Sequence, residues 1–357
     1  MSIFVKNAGL STTVQDLGRK GYLSSGFSPN GAMDAPAASI ANILVGNNRN
    51  AALLEFVLAG PTLRFTKTTF AALTGANFNA TLNGKPVPHG QAFKAEAGSV
   101  LACPAASNGM FGYLAVAGGG ISVPLVMGSA STNLKCGIGG WQGRALAFGD
   151  CLPTVSDLAF LPGLSLRKAP RELDFAPQPH DGPTTLRVVP GPQEQLFTDR
   201  GIEAFYNQPF QTTSKSDRMG YRLDGPQIET KHGSDIASDG IALGAVQVPA
   251  HGRPIIMMAD RQTTGGYAKI GTVASVDLPK LAQCRPGQTI RFERITVQEA
   301  QALYREKERQ LRAWEKSLQD PGPRARETRR AALQLEPLLK RHAQTAPTWL
   351  SAHLAKE

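Results

Sequence analysis

Glycine and proline punctuate this chain from end to end. There are 37 glycines and 25 prolines, and between them lie short runs rich in Val, Ile, Leu, Thr and Phe. Glycine takes the backbone conformations that side chains forbid, and proline ends helices. Such punctuation restricts the chain to many short strands joined by turns. Strand candidates in the first half are residues 3–5, 52–56, 62–65, 69–73, 79–82, 100–102 and 112–117. One helix is expected over 35–44. Asp34 can cap it, Pro36 suits its first turn, and Ile40, Ile43 and Leu44 share a face from which Asn42 would project.

A length of 357 residues suits two domains. Five prolines at 162, 170, 177, 179 and 183 mark residues 162–183 as the linker between an N-terminal unit, 1–161, and a second β unit, 184–295. Within the second unit, strands are expected over 242–248, 255–258 and 271–276, with a short helix from 194–196 onward. The character changes at 296–357. Thr296 and Glu299 have capping-box spacing, and Leu303, Tyr304, Leu311, Trp314 and Leu318 recur at helical intervals. Asp320-Pro321-Gly322-Pro323 would stop that helix, and a more basic one is expected over 324–335 before Pro337.

The net charge is +10, and residues 299–357 hold 12 Lys and Arg against 8 Asp and Glu, a net of +4. That balance suits an acidic partner or anionic ligands. Basic and aromatic residues do not interleave, which disfavours nucleic acid. No secretory leader and no apolar run of about 18 residues is present, so a cytoplasmic protein is expected. Cys103, Cys136, Cys151 and Cys284 form no CxxC pair and read as free, buried thiols, and the six histidines are scattered. No sequence-local metal site follows. A strand-to-helix GxGxxG, a Walker A loop and a GxSxG elbow are all missing.

Three segments instead share one recipe of Asp, Arg, Gly and Tyr: Gln15-Asp16-Leu17-Gly18-Arg19-Lys20-Gly21-Tyr22, Asp217-Arg218-Met219-Gly220-Tyr221-Arg222 and Asp260-Arg261-Gln262-Thr263-Thr264-Gly265-Gly266-Tyr267. Arginine presents a fixed fork of donors to carboxylates and related anions, and aspartate orients that fork. The pairs Asp217-Arg218 and Asp260-Arg261 are therefore the leading catalytic candidates. Gln15, Asp16 and Arg19, with Gln262, Thr263, Gly265, Gly266 and Tyr267, are candidates for binding substrate. Gly128-Ser129-Ala130-Ser131-Thr132 is a hydroxyl-rich turn suited to an anion, which adds Ser129, Ser131 and Thr132. Thr74-Gly75 follows an apolar run and reads as a strand ending in a small turn, with backbone N–H groups open to an oxyanion. Asn42 completes the set.

In this order, Gln15-Asp16-Leu17-Gly18-Arg19, Gly31-Ala32-Met33-Asp34, Thr74-Gly75-Ala76, Tyr113-Leu114-Ala115-Val116-Ala117-Gly118-Gly119, Ser216-Asp217-Arg218-Met219-Gly220-Tyr221 and Asp260-Arg261-Gln262-Thr263-Thr264-Gly265-Gly266-Tyr267 resemble the KipA family, also called allophanate hydrolase subunit 2 or the biotin-dependent carboxyltransferase family. The resemblance covers about residues 1–298. It implies a mainly β fold of tandem cyclophilin-like β-barrels with few short helices, to which 296–357 adds a helical extension. It implies one component of an ATP-dependent 5-oxoprolinase that opens 5-oxoproline to glutamate. Its companions would be a KipI-like protein (the B subunit) and a LamB/YcsF-like protein (the A subunit), with ATP used through the complex and the chain inactive alone. Two other activities come with the family: carboxyl transfer from carboxybiotin to urea or a related amide, and a non-catalytic, KipI-binding regulatory role. No biotinyl-lysine sequence of the Ala-Met-Lys-Met type occurs, so biotin would have to arrive on another protein. The family often carries arginine where this chain has Phe111 and Ala130, two positive groups fewer for an anion.

Overall fold

The computed structural model describes residues 2–155, 164, 167–173 and 182–319. Its described residues up to 308 form one compact unit. Eleven strands fill the first half: β1 (Ser2–Asn7), β2 (Thr12–Gln15), β3 (Leu53–Val57), β4 (Thr62–Phe65), β5 (Thr69–Asn77), β6 (Thr81–Leu82), β7 (Lys85–Pro86), β8 (Ala92–Ala95), β9 (Val100–Ala102), β10 (Asn108–Val116) and β11 (Cys151–Pro153). The second half adds β12 (Thr184–Pro190), β13 (Phe210–Thr212), β14 (Gly220–Asp224), β15 (Asp235–Gly240), β16 (Ala245–Gln247), β17 (Ile255–Met257), β18 (Thr264–Tyr267), β19 (Lys269–Val273) and β20 (Thr289–Arg294). The helices are α1 (Ala35–Leu44), α2 (Asp199–Asn207), α3 (Leu278–Ala282) and α4 (Val297–Gln319). The mainly β fold matches the punctuation of the sequence.

The first eleven strands make two sheets, ordered β11-β1-β4-β9-β6-β7 and β2-β3-β10-β5-β8. Their facing rows, Ile3, Val5, Leu63, Phe65 and Leu101 on one side and Val14, Leu54, Phe56, Leu114 and Val116 on the other, bury one apolar core. Side chains alternate along a strand, so the opposite face of the second sheet carries a different row. Thr13, Glu55, Tyr113 and Thr74 stand abreast there on β2, β3, β10 and β5. Helix α1 lies on that face. Asp34 accepts from Ala37 N at 3.0 Å as its cap, and Thr74 Oγ1 donates to Ala37 O at 2.7 Å.

In the second half a closed barrel runs β12-β19-β16-β17-β14-β13-β20, with β12 and β20 parallel and filled by Phe205, Phe210 and Phe292. A separate two-stranded ribbon joins β15 to β18. The first half closes as two stacked sheets and the second as one hydrogen-bonded barrel. The helix expected from 194–196 is a single 3-10 turn there, and α2 starts at Asp199 behind a Thr198 cap.

The described part of the proline-rich segment is hydrogen-bonded to the body. Ala92 N donates to Arg167 O at 3.0 Å and Ala169 N to Gly90 O at 2.8 Å. Thr296 and Glu299 form the expected reciprocal cap of α4, at 2.7 and 3.2 Å. The helix expected over 324–335 lies outside the described residues. No helix among the described residues is long and apolar enough to cross a membrane. All four cysteines are free, but Cys136 and Cys151 are exposed, so burial holds for Cys103 and Cys284 only.

Candidate functional site

Glu55 is the one carboxylate in the apolar run of β3, and the alternation that sends Leu54 and Phe56 into the core turns it onto the opposite face. It is 3% exposed. Its Oε2 accepts from Met33 N at 2.8 Å and from the Tyr113 hydroxyl at 2.9 Å, while Asp34 N donates to the Tyr113 oxygen at 2.8 Å. Its Oε1 accepts from Arg218 Nη1, which reaches in from the second half of the chain. Burial pushes the Glu55 carboxyl up, and Arg218, Met33 and Tyr113 oppose it. Tyr113, buried beside Glu55, is held well above the usual phenol range and stays protonated.

Arg218 is the hub. Its Nε and Nη2 donate to Asp260 Oδ2 and Oδ1, both at 2.9 Å, and Nη2 also donates to Gly31 O at 2.7 Å. Asn30 Nδ2 donates to Asp260 Oδ1 at 2.7 Å, and Asn30 Oδ1 accepts from Arg19 Nη1. Glycine is required where these strands of the network converge. Gly18 and Gly31 have φ of 89° and 90°, and a Cβ on Gly31 would stand 2.8 Å from Gly18 N. A continuous chain of polar contacts thus runs Tyr113, Glu55, Arg218, Asp260, Asn30, Arg19, and it stitches the N-terminal sheets to the barrel. Gln283, just after α3, adds a second stitch: its Oε1 accepts from Met110 N and Phe111 N, and its Nε2 donates to Asp34 Oδ2 at 2.9 Å.

The structure brings the three marked segments together but pairs them crosswise. Arg218 binds Asp260, not its neighbour Asp217, which is exposed and caps a turn through Met219 N and Gly220 N at 2.8 and 3.1 Å. Arg261, beside Asp260, meets no carboxylate among the described residues. It is 5% exposed, and its Nε and Nη1 donate to Ile241 O and Met258 O at 3.0 and 3.4 Å. Burial pulls its pKa down. Gln262 is exposed, Tyr267 is 41% exposed, and Thr263, Gly265 and Gly266 are half-buried along the β15–β18 ribbon.

The hydroxyl turn does bind an anion, and the anion is Asp16. Its Oδ1 accepts from Gly18 N, Ser129 Oγ and Ser131 Oγ at 2.7, 2.7 and 2.5 Å, and its Oδ2 from Ala130 N at 2.7 Å. Thr132 Oγ1 is committed to Val14 O at 2.8 Å. These donors are spent on the protein's own carboxylate. Arg19 closes over the same turn, with Nη2 on Ser131 O at 2.7 Å. Gln15 is buried, donating to Thr13 Oγ1 and Thr132 O at 3.0 and 3.2 Å, and its Oε1 has no partner.

Thr74 and Gly75 do not end a strand. Strand β5 continues to Asn77, with Gly75 paired to Gly112, so their backbone is covered rather than open to a ligand. Asn42 does not project either. The loop after α1 folds over it, and its amide donates to Arg49 O and Ala51 O at 3.3 and 2.8 Å and accepts from Asn47 Nδ2 at 3.1 Å. Ala130 packs in the apolar core and Phe111 is 6% exposed, so arginine at 130 would face the core rather than a ligand. A cavity of about 470 Å³, lined by Val189, Pro190, Arg294, Ile295 and Thr296 among others, is bordered by none of the marked residues. Glu55, Tyr113, Asn30 and Gln283 are the residues that sequence reading missed. The signal for the first two was a lone polar residue inside an apolar strand.

The family described as carboxyltransferase domain, subdomain A and B, matches residues 25–294. The chain is 44% identical over 293 residues to the C subunit of 5-oxoprolinase from Escherichia coli (strain K12), covering 82% of this chain and 91% of that one. It is 41% identical over 296 residues to the protein of the same name from Haemophilus influenzae, covering 83% and 92%. The crystal structure of the Kluyveromyces lactis urea amidolyase matches with a TM-score of 0.80 and 31% identity, over 88% of this chain and 20% of that one. The protein TTHA0988 matches with a TM-score of 0.73 and 38% identity over 82% of this chain. The chain spans about half the length of TTHA0988, 55%.

Proposed function

We propose that this chain, which belongs to the carboxyltransferase-domain family, is the C subunit of an ATP-dependent 5-oxoprolinase that opens 5-oxoproline to glutamate. The observation that carries this reading is the identity of 44% and 41% to two proteins of that name, spread over nine-tenths of their length. Its partners in the reading are a KipI-like protein and a LamB/YcsF-like protein, the B and A subunits.

The geometry agrees with a component that handles a small anionic substrate and leaves nucleotide binding to its partners. The hydroxyl-rich turn at 128–132, which resembles a phosphate cradle, is already filled by Asp16. The residues present therefore do not fit ATP at that turn. Arg218, fixed between Glu55 and Asp260, sets the seam between sheets and barrel, and Arg261, next to Asp260 in sequence, has no carboxylate partner among the described residues.

The experiment is reconstitution. The purified chain alone should turn over no 5-oxoproline, and adding the B and A subunits with ATP should yield glutamate. Absence of glutamate from the complete set refutes the reading. The match to urea amidolyase at a TM-score of 0.80 favours a second reading, carboxyl transfer from a biotin carried on another protein. Labelled bicarbonate appearing in an amide product, with carrier and carboxylase supplied, would establish that one instead.

A further inference from the structure

We infer that the β15–β18 ribbon is a strap, latched over a buried amine by the Lys269–Asp239 ion pair and able to lift from the barrel while the rest of the fold stays closed. Both feet of the strap are fixed. At one end Ser234 and Ala268 are buried, and Ala268 N donates to Ser234 O at 2.8 Å. At the other end Ile241 and Arg261 are buried. Ile241 N donates to Thr263 O at 3.0 Å, and Ile241 O accepts from Arg261 Nε at 3.0 Å. Between the feet no residue of either strand is buried. Three pairs knit the strands, Asp235 with Tyr267, Asp239 with Gly265 and Gly240 with Thr264, and the register breaks between Asp235 and Asp239. A segment with little buried surface and an interrupted ladder opens locally far more readily than a core does. Residues 261–263 link Asp260 of the seam network to β18, so the strap lifts next to that network.

What the strap covers is polar. Lys269 on β19 and Gln247 on β16 are ladder partners, so their side chains stand abreast on one face of the barrel. The Lys269 side chain is 4% exposed and donates from Nζ to Asp239 Oδ2 at 2.9 Å, whereas the Asp239 side chain, on the strap, is 53% exposed. Gln193 Nε2 reaches the same oxygen at 3.4 Å. No other side-chain hydrogen bond ties the middle of the strap to the barrel among the described residues. Gly265, opposite Asp239, lies directly on the Gln247 amide: a Cβ there would stand 2.9 Å from Gln247 Nε2 and 2.7 Å from Ile241 Cδ1, so no side chain fits in that contact. The contact covers the amide without satisfying it. Gln247 is 2% exposed and its Nε2 has no hydrogen-bond partner. A buried donor left unpaired favours any state that returns it to water. The closed strap therefore carries a cost at Gln247 that the Lys269–Asp239 pair offsets, and lifting it wets the amide and frees the amine.

The test is acetylation of Lys269 in the full-length chain by N-hydroxysuccinimidyl acetate, read by peptide mass spectrometry with the exposed Lys94 as reference, alongside amide hydrogen exchange. Labelling follows the open population when reclosing outpaces the chemistry. Wild-type Lys269 should react about 10-fold or more slowly than Lys94. Asp239→Asn removes the charge on the strap and should speed Lys269 about 10-fold, the equivalent of one charge-assisted hydrogen bond. Gly265→Ala leaves both charges in place and forces the strap up, so it should speed Lys269 as well, which separates lifting from a mere change in the amine's own reactivity. In both variants exchange should rise over 235–240 and 264–267 and stay unchanged over residues 113–116 of β10 in the N-terminal core. A wild-type Lys269 as reactive as Lys94, acetylation unchanged in both variants, or exchange rising equally in β10 overturns the proposal. None of these readouts passes through turnover, so the outcome stands apart from the 5-oxoprolinase reading.

Discussion

Arg218→Met is the sharpest perturbation of this architecture. The substitution keeps much of the side-chain volume and removes a guanidinium that donates twice to Asp260, once to Glu55 and once to Gly31 O. Asp260 is the more forgiving partner, because its side chain is 13% exposed and keeps the Asn30 amide. Glu55 is the costly one, with a side chain 3% exposed and only Met33 N–H and the Tyr113 hydroxyl left to it. Removing one member of a buried ion pair costs ~3–5 kcal/mol, and one orphaned carboxylate rather than two sets that range here. The pH dependence has a fixed sign. Burial already raises the Glu55 carboxyl and Arg218 opposes it. Without Arg218 the folded-state value rises further above the unfolded one. A raised carboxyl stabilises the fold below its unfolded value, about 4.3, and loses that contribution as pH rises through the folded value. The penalty of Arg218→Met should therefore be greatest near pH 8 and shrink toward pH 5. Urea unfolding of wild type, Arg218→Met, Glu55→Gln and the double variant at both pH values measures it, and the double variant should recover about 2 kcal/mol or more over Arg218→Met alone. A penalty below about 1 kcal/mol, or one that stays constant over this pH span, or strict additivity of the two changes would refute the account of Glu55 as a buried charge held by Arg218.

Ser131→Ala removes a 2.5 Å bond to the Asp16 carboxylate and should cost ~1.5–3 kcal/mol in a urea melt, with turnover per folded molecule of the reconstituted enzyme unchanged. Asp217→Ala frees two turn N–H groups at an exposed site, so a loss of about 0.5–1.5 kcal/mol is expected; a tenfold fall in turnover would restore Asp217 to the catalytic group. Asp277 is wholly buried, and burial alone would raise it, but Arg187 and Lys280 bind it and hold it below the usual carboxylate range. Asp150, bound by Arg144, is held at about 2. Both carboxylates stabilise the fold above the unfolded value near 3.9 and lose that contribution as pH falls through their lower folded values. Asp277→Asn should thus lower Tm at pH 7 and flatten its decline between pH 4 and pH 2, and a parallel decline in both proteins would argue against it.

What was legible in the sequence is what is local. Asp34, Pro36 and an apolar period of 3.6 place α1 at Ala35–Leu44, and Thr296 with Glu299 places the start of α4, because caps act within one turn. The site was legible in its parts and not in its wiring. Adjacent residues such as Asp217 and Arg218 diverge from an extended or turning backbone, so proximity in sequence argues against pairing rather than for it. The partners Arg218 does take lie 42 and 163 residues away. The sign of the second was present in the register of β3: a glutamate one step from Leu54 and Phe56 must face away from the core, where only a cation from another element can neutralise it. The same reasoning separates the three look-alike segments. Asp16 consumes the hydroxyl turn, Asp260 consumes Arg218, and Arg19 and Arg261 are left to amide and backbone carbonyl oxygens. With both nearby carboxylates spoken for, Arg261 stays buried against backbone carbonyls, without a carboxylate partner among the described residues, because a sequence neighbour of Asp260 leaves the backbone in another direction.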